Sequence, residues 1–415
     1  MFEFLGTWAD GLRPSAGLPT VQWALLLAVA AAAGHLAQRH LALPKVVGYS
    51  VVGAVAGLSG FSGATWPLGG ISLFLLELGV SIVLFEAGGR TSLRWLWRNP
   101  MVLVQSLLGC ALAYASVYVT LRWMGLGGAL SEALAVIAMV GAPSVLSRVA
   151  LDIGASGPVT DRAITLTTLG ALYALVLVSA RTSVIHQNTE GLLETLLPIT
   201  SVLGASVLFA GLMAMAIRVA LRFMTPTSEN TSILLLSLLA AGTTLAAHLG
   251  GSAPLSALLA GLLLKHAHQR PWAWPRQLGT AASALVMLTF VLVSVVAAQA
   301  PWNPAVAGLV LAFIVARSVG QLAGVTAGNA GSGLHWRQAL WTAGAMTPLS
   351  SVALLLVAQF VATSITLGPQ VASIALPAIL LMESVGAILT TLVLDRARES
   401  RRDASRNEDI ARVTP

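Results

Sequence analysis

Thirteen separate apolar stretches of this chain read as candidate membrane spans, the eighth and ninth short, and this limits the fold more than any other feature. They cover residues 20–38, 44–60, 69–88, 100–121, 130–150, 159–181, 195–221, 231–248, 252–266, 279–298, 304–326, 336–360 and 371–394. A crossing helix needs roughly 17–25 mostly apolar residues. Inside lipid every backbone N–H and C=O must be paired within the protein, so only helices or closed barrels span, and runs of this length are helices. Composition agrees: 56% of the 415 residues are hydrophobic and 9% are charged, against about a quarter charged in soluble proteins. The sequence therefore reads as an all-α polytopic membrane protein of about 13 transmembrane helices. A soluble enzyme, a nucleic-acid partner and a disulfide-stapled secreted domain are excluded, the last because Cys110 is the single cysteine. Spans eight and nine, divided only by Gly250 and Gly251, also read as one long hairpin.

The basic residues give an expected orientation. With the N-terminus outside, 19 Lys and Arg fall on the cytoplasmic side and three outside, and Arg317 lies within a span. That asymmetry is the positive-inside pattern of a multi-pass protein in a bacterial inner membrane. Ten of the 11 tryptophans sit at or near span ends, as amphipathic rings at an interface do. Residues 1–19 contain Glu3 and Asp10 and no apolar core, so no cleavable signal is expected there. Residues 1–395 read as one transmembrane domain and 396–415 as a short basic cytoplasmic tail. Gly324 to Gly333 reads as a flexible connection.

Two spans carry helix-breaking sequence at mid-membrane. The fifth contains Gly141-Ala142-Pro143-Ser144-Val145-Leu146-Ser147, and the twelfth contains Gly344-Ala345-Met346-Thr347-Pro348-Leu349-Ser350-Ser351. Over 11 positions at an offset of 203 residues, seven are identical. Span five runs outward-to-inward and span twelve the reverse, so the shared sequence marks an inverted repeat. Proline removes a donor and disrupts the preceding turn. Unwound backbone at membrane depth belongs where it is buried in protein or lines a cavity. Pro143, Ser144, Ser147, Thr347, Pro348, Ser350 and Ser351 are thus candidates for a midplane transport site, against the plainer reading of two kinks without a ligand.

The chain resembles the monovalent cation:proton antiporter superfamily, in particular its bacterial potassium-efflux and sodium/proton antiporter branch. The resemblance rests on Leu43-Pro44-Lys45-Val46-Val47-Gly48-Tyr49 in span two, on Glu77-Leu78-Gly79-Val80 through Phe85-Glu86-Ala87-Gly88-Gly89 in span three, and on Ala260-Gly261-Leu262 in span nine. It implies two six-span inverted repeats, about 20–182 and 231–395, joined by span seven at about 195–221. One bundle would form around the crossed broken helices and another would form a dimer-facing panel. An elevator-type movement would alternate access, and the protein would be a homodimer. No cofactor is implied. One departure is specific. The resemblance places acidic residues in span six at Ala171 and Leu172, and no Asp or Glu lies between Arg162 and Ser183.

An ionisable residue inside the membrane is a functional candidate by default. Arg317 is the basic residue that the resemblance pairs with the missing acid. Glu383 lies mid-span in the thirteenth segment, and its expected partner is Arg317. Glu77 lies mid-span in the third. Glu86 reads as an interfacial residue meeting Arg90 at i+4. The expected activity is exchange of Na⁺ or K⁺ for protons, with the cation near Glu383 and no other metal. The alternatives are an anion or small-solute carrier using Arg317 and half-helix N-termini, and a non-transporting descendant.

Overall fold

The computed structural model describes residues 18–61, 63–185, 192–224, 229–267, 276–300 and 303–400. Trp272, Trp274, Trp302 and the tail from Arg401 lie outside the described residues. Within them the chain is helical, with no strand. Spans one to four are α1 (Leu18–His40), α2 (Lys45–Leu58), α3 (Gly70–Arg90) and α5 (Pro100–Trp123), with a short helix α4 (Leu93–Arg98) before the last. Span five is two half-helices, α6 (Gly128–Met139) and α7 (Pro143–Ile153). Then come α8 (Pro158–Ile185), α9 (Leu192–Phe223), α10 (Glu229–His248), α11 (Ala253–Ala267), α12 (Arg276–Ala298) and α13 (Pro304–Ala327). Span twelve is again two half-helices, α14 (Trp336–Ala345) and α15 (Ser351–Thr363), and span thirteen is α16 (Leu367–Arg396). Among the described residues nine spans are long and apolar enough to cross a membrane, and four shorter apolar helices complete the set.

Local chemistry sets the boundaries. Proline opens α5, α7 and α13, where its missing N–H costs nothing. Asn303 caps α13 by accepting from the Ala305 amide at 3.2 Å. Gly154, with φ 65°, closes α7 in the left-handed conformation that an L side chain resists. Spans eight and nine are two helices rather than one: Gly250 turns the chain at φ 82° and the Gly251 amide returns to the Ala246 carbonyl at 2.7 Å.

The helices sort into two bodies. Helices α5 to α8 and α13 to α16 pack mainly with one another, as do α1 to α3 and α9 to α12. The pairings are those of a two-fold arrangement. Span four packs on span eleven, its own counterpart; span three packs on nine while span two packs on ten. Small residues bring these pairs to backbone contact, as membrane helices do without a hydrophobic drive between them. Gly320 and Gly324 face the Leu112 and Leu108 carbonyls. Gly53 and Gly57 face those of Val291 and Val295, and Gly88 and Gly261 those of Leu258 and Phe85. Among the described residues, every glycine whose added Cβ would come within 3.0 Å of a neighbour from another helix meets it inside its own body.

The seam between the bodies is joined differently. Helix α16 lies along α2 and α12, and α7 approaches α2 and α3. Asp152 at the end of α7 accepts the Lys45 amide at 3.0 Å and stands 3.9 Å from its ammonium. Arg148 donates to the Ser283 hydroxyl of α12 at 3.1 Å. These polar links cross the seam on the face rich in Lys and Arg.

Candidate functional site

The two breaks meet at the centre of the first body. In span five, Val140 to Ala142 leave the helix between α6 and α7, and Pro143 restarts it. A Cβ on Gly141 would lie 2.7 Å from Thr167, so α8 presses directly on this link. In span twelve, Met346 to Ser350 form a longer link that contains Pro348. Gly386 of α16 presses there: a Cβ on it would lie 2.8 Å from the Pro348 Cα.

Arg317 ties the breaks together. It is fully buried on α13. Its Nε donates to the Ala138 carbonyl at 3.0 Å and its Nη2 to the Val140 carbonyl at 2.7 Å. Its Nη1 donates to the Thr347 carbonyl at 2.7 Å. These are the carbonyls freed where α6 and α14 stop, the negative ends of both half-helices, so a cation is favoured there. The expected pairing of Arg317 with Glu383 is therefore not what forms. Three carbonyls converge on the guanidinium, and among the described residues no carboxylate stands within ion-pair distance of it. A charged residue is visible in a sequence, whereas backbone acceptors carry no residue signature.

Glu383 is also fully buried, on α16. Its Oε1 accepts from the Ser350 hydroxyl at 2.8 Å and its Oε2 from the Ser294 hydroxyl at 3.2 Å. Ser350 belongs to the second break and Ser294 to α12 of the other body, so the carboxyl group spans the seam. Ser294 was not among the expected residues; its only mark in the sequence is one hydroxyl in the apolar run Val291-Leu292-Val293-Ser294-Val295-Val296.

The remaining candidates divide. The Ser351 hydroxyl starts α15, buried and without a partner. The Thr347 hydroxyl turns back to the Gly344 carbonyl at 2.6 Å. Pro143, Ser144 and Ser147 line a separate cavity of about 250 Å³ on the basic side, with Arg148, Glu86 and Arg90. Glu86 and Arg90 form the i+4 pair at 2.6 Å. Glu77 is half-buried on α3 in the other body, apart from these groups. At the positions where an acid was expected, Ala171 is fully buried and Leu172 lines an almost wholly apolar cavity of about 540 Å³ with Leu107, Met139 and Val207.

Crossed half-helices around a buried carboxyl group and a buried guanidinium define a membrane transporter built from inverted repeats, not an enzyme. The family model described as sodium/hydrogen exchanger, transmembrane, matches residues 24–395. The chain belongs to that family. Its fold is similar to two structures of the sodium proton antiporter MjNhaP1 from Methanocaldococcus jannaschii. One, at pH 8, is 12% identical with TM-score 0.67 and covers 91% of this chain and 98% of that one. The other, from electron microscopy, is 13% identical with TM-score 0.65 and covers 93% and 96%. A search of curated protein sequences finds no match.

Proposed function

We propose that this protein exchanges a monovalent cation, Na⁺ or K⁺, for protons, with Glu383 as the group both ions compete for. The observation that carries this reading is the enclosed Glu383 carboxyl group held by hydroxyls from both bodies. Carboxylate, hydroxyl and carbonyl oxygens are the ligands that hard cations take. A carboxylate can hold a cation or a proton, and that competition couples the two fluxes. The pattern of family membership and the buried position of Glu383 support it. Glu383 would take over the role of the acid absent at Ala171 and Leu172.

In this reading the body holding both breaks moves against the other in an elevator-type step. The Ser294–Glu383 bond across the seam would then break and re-form as access alternates. The second body would form the homodimer contact, in an inner membrane with the basic face cytoplasmic. The half-repeats at about 20–182 and 231–395 would supply the two-fold relation. An anion carrier centred on Arg317 has less support, because its donors are occupied by carbonyls.

The test is proton flux in everted vesicles, followed with a pH-sensitive dye during pulses of Na⁺, K⁺ or Li⁺. Glu383→Gln is expected to abolish the cation-driven response while the protein remains folded and inserted. An unchanged response and pH profile in Glu383→Gln would remove this residue from the coupling.

A further inference from the structure

We propose that the cavity at the start of α7 is a binding site for a small monoanion, a halide or a short carboxylate. Its volume of about 250 Å³ holds about eight waters at roughly 30 Å³ each, which suits an ion of that size with part of its hydration. The site does not depend on the exchange reading, since none of its groups touches Glu383.

Three features of the cavity favour an anion. Helix α7 is 11 residues long and no side chain caps its N-terminus. Its Leu146 amide bonds to the Ala142 carbonyl at 3.1 Å. The amides before it belong to the uncapped first turn, where the helix dipole favours negative charge. The Ser144 hydroxyl lines the cavity, buried and without a hydrogen-bond partner. The Nε of Arg148 is likewise buried without a partner. Among the described residues the rest of that guanidinium hydrogen-bonds to the Ser283 hydroxyl and carbonyl, at 3.1 and 3.3 Å.

The charged residues lining the cavity, Glu86, Arg90 and Arg148, sum to one positive unit. Glu86 is taken by Arg90 at 2.6 Å. Asp152, one turn beyond Arg148 and outside the cavity lining, bonds to Lys45 and shares its charge between Lys45 and Arg148. A cation placed here would face Arg148, Arg90 and the positive end of α7, whereas a monoanion would restore neutrality and satisfy the two orphaned atoms. Ser144 and Ser147, expected from sequence to belong to a midplane transport site, are assigned to this anion instead. The site also straddles the seam, with α7 on one body and α3 and α12 on the other, so its occupant links the two.

The experiment measures the thermal midpoint of the purified protein in sodium chloride, bromide, formate and acetate against sodium gluconate at equal ionic strength. A saturable rise with a small anion over gluconate is expected. The half-saturating concentration should rise about tenfold in Arg148→Gln and about threefold in Ser144→Ala, the scale of one charged and one neutral hydrogen bond. Arg148→Lys should stay closer to the parent. Ser144→Ala removes a hydroxyl that has no partner, so it tests the site even if Arg148→Gln fails to fold. A response to halides alone assigns an inorganic anion, and one to formate or acetate a carboxylate. No difference between small anions and gluconate, or the same half-saturation in Ser144→Ala as in the parent, would overturn the proposal.

Discussion

The breaks in spans five and twelve share their sequence but not their chemistry. At an offset of 203 residues Ser147 corresponds to Ser350 and Ser144 to Thr347. The Ser350 hydroxyl is committed to Glu383, and Thr347 gives its carbonyl to Arg317 and its hydroxyl to Gly344. Ser144 has no partner, and Ser147 faces an open cavity beside Arg148. The difference comes from the next span. Helix α16 brings Glu383 to the second break, whereas α8 brings Thr167 and Thr168 to the first, and their hydroxyls return to carbonyls of their own helix. The repeat fixes where the backbone opens. The neighbouring helix decides what the opening can bind.

Replacing Arg317 with methionine is expected to have the largest effect, because both breaks depend on that side chain. Three buried carbonyls lose a charged donor, each such bond being worth about 1.5–3 kcal/mol. The folded protein should be lost, or its thermal midpoint should collapse, in size-exclusion and unfolding measurements in detergent. A near-parental midpoint would mean that the breaks are held open independently.

A paired substitution sharpens the contrast between the halves. Ser350→Ala leaves a buried carboxyl oxygen without its hydroxyl and should cost about 1–2 kcal/mol. Ser144→Ala, in buffer whose only anion is gluconate, should stay within about 0.5 kcal/mol. Equal costs in chemical unfolding would erase the asymmetry described above. A small effect is also expected at proline. Pro143 opens α7 at a position suited to it, so Pro143→Ala should cost under about 1 kcal/mol, mainly through the unfolded chain. A larger loss would show that the first link is strained rather than preset.

Most of the architecture was legible in the sequence because its causes are local. Apolar length and Gly-Ala-Pro within a span each act over a few residues. The short helix α4 was missed because Leu93–Arg98 is too brief for a hydropathy window. Gly324 to Gly333 was read as flexible from its glycines. Instead Gly324 packs inside α13, and Ser332 closes a turn on Asn329 at 2.6 Å, its carbonyl accepting from Arg162. The site was only half legible. Glu383 stood out as a lone acid, but its Ser294 partner comes from 89 residues away and the Arg317 acceptors are main-chain oxygens. Nothing in the neighbourhood of Arg148 along the chain reveals the cavity, which α3 and α12 complete.

The distribution of close-packed glycines has a mechanical consequence. Backbone-to-backbone contact at Gly320, Gly324, Gly53, Gly57, Gly88 and Gly261 makes each body stiff. Among the described residues no glycine brings backbones into contact across the seam, which is joined by bonds such as Lys45 to Asp152 and Arg148 to Ser283, so compliance is concentrated there. A change in bilayer thickness or lateral pressure would therefore be taken up as tilt or slip of one body on the other, with little bending of any helix.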